Sequence, residues 1–236
     1  MRSCKTATRP AKAMPSEERT YMERILATMP DIIRATGLTL SLTIVSILVG
    51  MALGLVLAFG RMAKSRIIRG ITWIYLWVFR GTPMLMQIFF IYFVLPKVLP
   101  AFKTNEFNTA FIALGLNSAA YLAEIIRGAI QSIDKGQLEA CKALGMGTGL
   151  AMRRIIIPQS IRRMLPPFGN EFIMLLKDTS LVSVIGLSEL LKVARQMTSA
   201  TGDAIYYLPI AIIYLLLTTI FTFVFEKLEK KYSIYE

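Results

Sequence analysis

The sequence predicts an all-α integral membrane protein of five transmembrane helices, and three observations carry that reading. Hydrophobic residues make up 55% of the 236, against roughly 45–50% in ordinary soluble domains. They are gathered in blocks long enough to cross a bilayer, and cations collect between alternate blocks. Lys and Arg number 27 against 15 Asp and Glu, a net charge of +12.

Residues 1–35 carry Arg2, Lys5, Arg9, Lys12, Arg19, Arg24 and Arg34. No 7–15-residue apolar core precedes a small-residue cleavage site, so this is not expected to be a secretory signal peptide. It reads as a partly disordered N-terminal tail, with the transmembrane domain over 36–232.

Span one, about 37–60, contains no ionisable side chain, and about 30 Å of hydrocarbon needs roughly 20 helical residues. Its Gly50-x-x-x-Gly54 permits close helix packing. Span two, about 67–100, is interrupted by Arg80 and Pro83. Trp73, Tyr75 and Trp77 fall where such a span meets the cytoplasmic interface. Arg80 reads as structural, snorkelling or satisfying helix-end carbonyls. Span three, about 109–128, contains the acid Glu124, span four, about 158–187, holds several charges, and span five, about 205–226, ends in Glu226-Lys227-Leu228-Glu229-Lys230-Lys231.

The loops set the orientation. Arg61, Lys64, Arg66 and Arg69 lie between spans one and two, seven cations lie from Arg127 to Arg163, and Lys227, Lys230 and Lys231 follow span five. The opposite loops offer Lys97, Lys103, Lys192 and Arg195. The positive-inside rule then places the C-terminus in the cytoplasm and the N-terminus outside. The seven cations of the tail oppose this, and a translation start near Met14 or Met22 would remove most of the conflict.

The chain has no His and two Cys. That excludes His-ligated zinc or haem and Ser-His-Asp triads, and Cys4 and Cys141 suggest no disulfide framework. No metal site and no catalytic residue is expected. Lipid-side asymmetry accounts for the positive charge better than nucleic acid does. A Gly-x-x-x-x-Gly-Lys-Ser/Thr nucleotide loop is missing, and Gly145-Met-Gly147-Thr-Gly149 reads as a flexible turn.

The most specific stretch is Asp134-Lys-Gly-Gln-Leu-Glu-Ala-Cys-Lys-Ala-Leu-Gly145, followed after nine residues by Ile155-Ile-Ile-Pro158. Ala140, Cys141 and Ala143 would let a short helix, about 135–146, lie close against another surface. Gly145 can end that helix in a left-handed conformation, and Pro158 suits the first turn of the next.

This stretch resembles the cytoplasmic signature of binding-protein-dependent ABC importer permeases: Glu-Ala-Ala, three residues, Gly, nine residues, Ile-x-Leu-Pro. Here Cys141 stands for the second Ala and Ile157 for Leu. Arg80-Gly-Thr-Pro83, Asn117-Ser-Ala-Ala-Tyr-Leu-Ala-Glu-Ile-Ile-Arg127 and Asn170-Glu-Phe-Ile-Met-Leu-Leu-Lys-Asp-Thr-Ser-Leu181 resemble the polar amino-acid subfamily. The resemblance implies the type I importer permease fold in a bacterial inner membrane. It also implies a second permease subunit, a cytoplasmic ABC ATPase dimer that uses the ATP and Mg, and a periplasmic or lipid-anchored solute-binding protein. No cofactor would be bound by this chain. ATPase coupling would fall to Glu139, Ala140, Cys141, Ala143, Leu144, Gly145, Ile155 and Pro158.

Ionisable groups within spans are costly and need a partner or a wet cavity. Asn117, Tyr121 and Glu124 share a face of span three at i, i+4 and i+7. In span four, Asn170 and Lys177 share one face and Glu171 and Asp178 a neighbouring one. These stripes are expected to line a shared polar cavity for a zwitterionic cargo, with Glu124 also able to pair with Arg127. A self-powered secondary amino-acid transporter is the alternative, although five spans do not divide into two inverted halves.

Overall fold

The computed structural model describes residues 16–232, with side chains described from Tyr21 onward. Cys4 and residues 1–15 of the expected tail lie outside the described residues. The order is α1 (Ser16–Met62), α2 (Arg66–Gly81), α3 (Met84–Val98), α4 (Glu106–Gln131), α5 (Lys135–Ala143), α6 (148–178), α7 (Leu190–Thr201) and α8 (Tyr207–Tyr232). Short 3-10 turns at Thr179–Ile185 and Ala204–Tyr206 lead into α7 and α8.

Helix α1 is described from Ser16, so residues 16–35, expected as part of the tail, are helical. Its first half is helical because it has something to bury against. Ile32 and Ala35 pack with Leu190, Val193 and Ala194 of α7 and Ile210 of α8 in a small separate core.

Among the described residues, Tyr21–Met62, Glu106–Gln131 and Ala204–Tyr232 are long and apolar enough to cross a membrane. Arg66–Gly81 with Met84–Val98 makes a fourth such element, bent by 108° at the Thr82-Pro83 break. The expected fourth span is helical to Asp178 and then continues as a 3-10 turn to Ile185. Arg162, Arg163, Glu171, Lys177 and Asp178 keep it outside the apolar class, yet Phe172, Leu175 and Leu176 are buried in the main core.

Helices α1 and α4 form the spine. A Cβ added at Gly50 would stand 3.0 Å from the Cβ of Ser118, and one at Gly54 would stand 3.0 Å from the Cβ of Leu122 and 3.1 Å from the carbonyl of Ala119. The small residues read from the sequence thus bring the two backbones together. Helix α8 leans on α6 through Phe168, Phe172, Phe221 and Phe225, with ring centroids 4.6–5.9 Å apart. Its remaining surface is largely uncovered.

The helix after α5 starts at Thr148, earlier than the Pro158 signal suggests, so Gly149 is helical and the turn is confined to residues 145–147. Pro158 is accommodated within this rod where Met152–Ile156 winds as a wider π-turn just before it. The pyrrolidine ring of Pro158 would otherwise press on the carbonyl four residues back. The same arrangement occurs in α3, where the π-turn Phe90–Val94 immediately precedes Leu95 and Pro96.

Candidate functional site

Two places concentrate polar chemistry, an open cleft beside the broken helix and the short helix α5. The break comes first, since it positions the cleft. Helix α2 stops at Gly81, because Pro83 cannot continue the hydrogen-bond ladder and Thr82 is extended. The bend is clamped by amides. Gln87 Nε2 donates to the carbonyls of Phe79 (2.9 Å) and Thr82 (3.1 Å) and to Thr82 Oγ1 (2.9 Å). Asn117 Nδ2 of α4 donates to the Phe79 carbonyl (3.1 Å) and to Gln87 Oε1 (3.0 Å). Tyr75 adds a tie from its hydroxyl to the Leu116 carbonyl at 2.8 Å.

The cleft beside this clamp encloses about 410 Å³ and is lined by Arg61, Trp73, Trp77, Arg80, Tyr121 and Glu124, with Leu76 and Gly81. The Trp73 and Trp77 rings stack with centroids 6.1 Å apart and planes 9° from parallel. The Arg80 guanidinium lies 5.5 Å above the Tyr121 ring centre. Glu124 is the only acid among the lining residues, and Arg127 grips both its oxygens, Nε donating at 3.2 and 3.1 Å and Nη2 adding a further bond. Arg61 and Arg80 approach the same carboxylate only to 3.8 and 4.0 Å.

The expected site residues therefore divide. Tyr121 and Glu124 line the cleft, while Asn117 is buried in the clamp and positions the break. Asn170 and Lys177 are exposed, and Lys177 borders a separate, largely apolar groove with Ser180, Tyr207 and Tyr214. Glu171 is buried and accepts from Ser118 Oγ at 3.0 Å, and Asp178 is half-buried. Among the described residues these stripes do not converge on a single shared cavity. Ser118 faces α1 and α6, whereas Tyr121, three residues on, faces the end of α2.

Other expectations change too. Arg80 does not cap carbonyls, because Gln87 and Asn117 already take those of Phe79 and Thr82. Trp73 and Trp77 line the cleft, and Tyr75 points inward to the middle of α4. Sequence reasoning missed Arg61, Gln87 and Glu189. Gln87 carried a signal, being the one amide in an apolar run after Pro83. Glu189, fully buried, caps α7 through the N–H groups of Leu191 (2.7 Å) and Lys192 (2.8 Å) and accepts from the Tyr214 hydroxyl at 2.9 Å.

Helix α5 closes as the sequence leads one to expect. The Asp134 carboxylate accepts from Gly136 N–H, and Gly145 takes φ +74°. Gly145 N–H donates to the Lys142 carbonyl and Met146 N–H to that of Cys141, both at 2.9 Å, the paired bonds of a glycine-terminated helix. Cys141 is buried, while Glu139, Ala140, Ala143 and Leu144 face outward, Leu144 at 81% exposure. Ile155 is half-buried and Pro158 exposed on the neighbouring turns of α6. Arg163 of α6 donates from Nη1 to the carbonyl of Ser132 at 2.6 Å, tying α6 to the end of α4 from which α5 hangs.

A membrane helix broken by 108° beside a charged cleft, with a short projecting helix tipped by an exposed leucine, is the architecture of a membrane transport subunit. The chain belongs to the family described as binding-protein-dependent transport system inner membrane component, which matches residues 50–234. It is 40% identical over 204 residues, covering 86% of this chain and 93% of the relative, to the arginine transport system permease protein ArtQ of Bacillus subtilis. It is 36% identical over 207 residues, covering 87% and 94%, to the glutamine transport system permease protein GlnP of Escherichia coli. Among solved structures, the crystal structure of an amino acid ABC transporter with histidines matches with a TM-score of 0.83 and 38% identity over 88% of this chain and 97% of that one. The inward-facing MetNI methionine ABC transporter shares the fold at a TM-score of 0.74 and 19% identity, covering 87% and 98%. Membership of this ABC family sets aside the self-powered alternative.

Proposed function

We propose that this chain translocates polar amino acids across a bacterial inner membrane by alternating access, as the permease subunit of an ATP-driven importer. Five spans with the N-terminus outside and the C-terminus inside fit the charge distribution of the loops. A second permease subunit, identical or related, completes the pathway. An external binding protein delivers cargo, and a pair of cytoplasmic ABC ATPases consumes the ATP and Mg.

The observation that carries this reading is the outward-facing Leu144 at the tip of a short helix whose other face is anchored by Cys141. Set beside the Glu139–Gly145 signature, this exposed leucine on a cytoplasmic projection fits a groove on a partner. Closure of the ATPases draws α5 inward. The motion passes through the packed first turns of α6 and the Arg163–Ser132 tie to the helices that bound the cleft.

Gly145→Asp tests this. A side chain at φ +74° is strained by about 1–2 kcal/mol, and a carboxylate at a helix C-terminus opposes the dipole. The variant is expected to insert into the membrane but to lose ATP-driven uptake. Wild-type uptake by Gly145→Asp would sink the docking assignment.

A further inference from the structure

The cleft is unbalanced in charge and in hydrogen bonding. Its one carboxylate, Glu124, is held on both oxygens by Arg127 and paired at 3.8 and 4.0 Å with Arg61 and Arg80, so three guanidinium groups share a single negative charge. Arg61 Nε is buried with no hydrogen-bond partner, the nearest acidic oxygen standing 3.8 Å away. Arg80 rests on the Tyr121 face, 4.0 Å from the same carboxylate. A buried N–H of a charged group left without an acceptor is strongly disfavoured. The planar fork of a guanidinium matches the two oxygens of a carboxylate, and the stacked Trp73–Trp77 pair offers an apolar wall beside it.

We propose that the cleft holds its cargo by a carboxylate, received between Arg61 and Arg80, with the rest of the molecule against Trp73 and Trp77. The inference rests on the amino-acid transport reading above and names the group by which the cargo is held. The carboxylate is supplied either by the α-carbon of an amino acid or by a side chain.

The test is equilibrium binding of radiolabelled glutamine to the intact permease–ATPase complex in nanodiscs, with unlabelled competitors, beside ATP-driven uptake of glutamine, glutamate and arginine by the complex with its binding protein in proteoliposomes. Glutamine is expected to compete and glutaminol, which lacks the carboxylate, to compete at least ~10-fold less well. Competition by 4-aminobutanoate shows that the clamp accepts a carboxylate remote from the amino group, as on a side chain, and its failure shows that the clamp requires the α-carboxylate, which is the only one glutamine has. Arg61→Gln and Arg80→Gln are expected each to weaken glutamine binding by ~10-fold or more while leaving glutaminol unchanged. Equal competition by glutaminol, or glutamine binding indifferent to both substitutions, overturns the carboxylate clamp and leaves amino-acid transport standing. A wild-type complex that takes up none of glutamine, glutamate and arginine in the same proteoliposome assay overturns the transport reading and the clamp together.

Discussion

Replacing Gly54 by alanine puts the α1–α4 spine to a quantitative test. The new methyl would sit 3.0 Å from the Leu122 Cβ and 3.1 Å from both the Ala119 carbonyl oxygen and the Ala123 nitrogen. Carbon atoms rest at about 3.5–4.0 Å, and none of these three neighbours is the end of a flexible side chain. The helices must therefore separate by about half an ångström, and overpacking of this kind typically costs about 1–3 kcal/mol. Alanine returns about 0.5–1 kcal/mol of helix propensity, leaving a net loss of up to about 2.5 kcal/mol. In a chain of this length that corresponds to a melting temperature lowered by up to roughly 10 °C. Gly128 lies on the same helix α4 with nothing within 4 Å of its added Cβ. Gly128→Ala should accordingly leave the melting temperature unchanged or raise it. The assay is thermal unfolding of the detergent-purified proteins followed by size-exclusion chromatography. Gly54→Ala melting at or above the wild-type temperature, or Gly128→Ala melting below Gly54→Ala, would refute the packing argument.

Three further outcomes are expected. Glu189→Ala removes the cap of α7 and strands the buried Tyr214 hydroxyl, for a loss of about 2–4 kcal/mol by the same melting assay, with Glu189→Gln retaining part of it. Arg163→Gln releases the Ser132 carbonyl, so uptake should fall several-fold while the complex's basal ATP hydrolysis persists, and unimpaired uptake would show that the tie carries no motion. Cys141 is buried, so orientation is better read from Leu144→Cys in a chain with both native cysteines replaced (Cys4→Ser, Cys141→Ser): a membrane-impermeant thiol reagent should label it in inverted vesicles and spare it in spheroplasts, and the reverse pattern would overturn the topology.

What could be read from the residues alone was whatever local geometry decides. Gly145 ends α5 because a left-handed residue is needed there, Gly50 and Gly54 pack because nothing bulkier fits, and Glu124 reaches Arg127 because i and i+3 are neighbours on a helix. The cleft escaped because Arg61, Arg80 and Tyr121 meet only after the chain folds back by 108° at Pro83, a contact no periodicity encodes. Asn117 shared a helical face with Tyr121 and Glu124, yet face does not specify neighbour, and the amide found the open carbonyls of the break. Pro158 was legible as a first-turn residue, but the π-turn that lets the rod run through it from Thr148 depends on packing around the rod. Glu189 gave no conventional signal, since the preceding Ser188 is the commoner helix cap and the partner hydroxyl lies 25 positions away.

Both tryptophans of the 236-residue chain stand on the wall of the cleft. Ultraviolet emission from this polypeptide is therefore a local instrument, silent about the far end of α1 or the lipid-facing side of α8. Nature has left a pair of dyes at the one place where cargo and protein are proposed to touch, ready for quenching or energy-transfer measurements without any label.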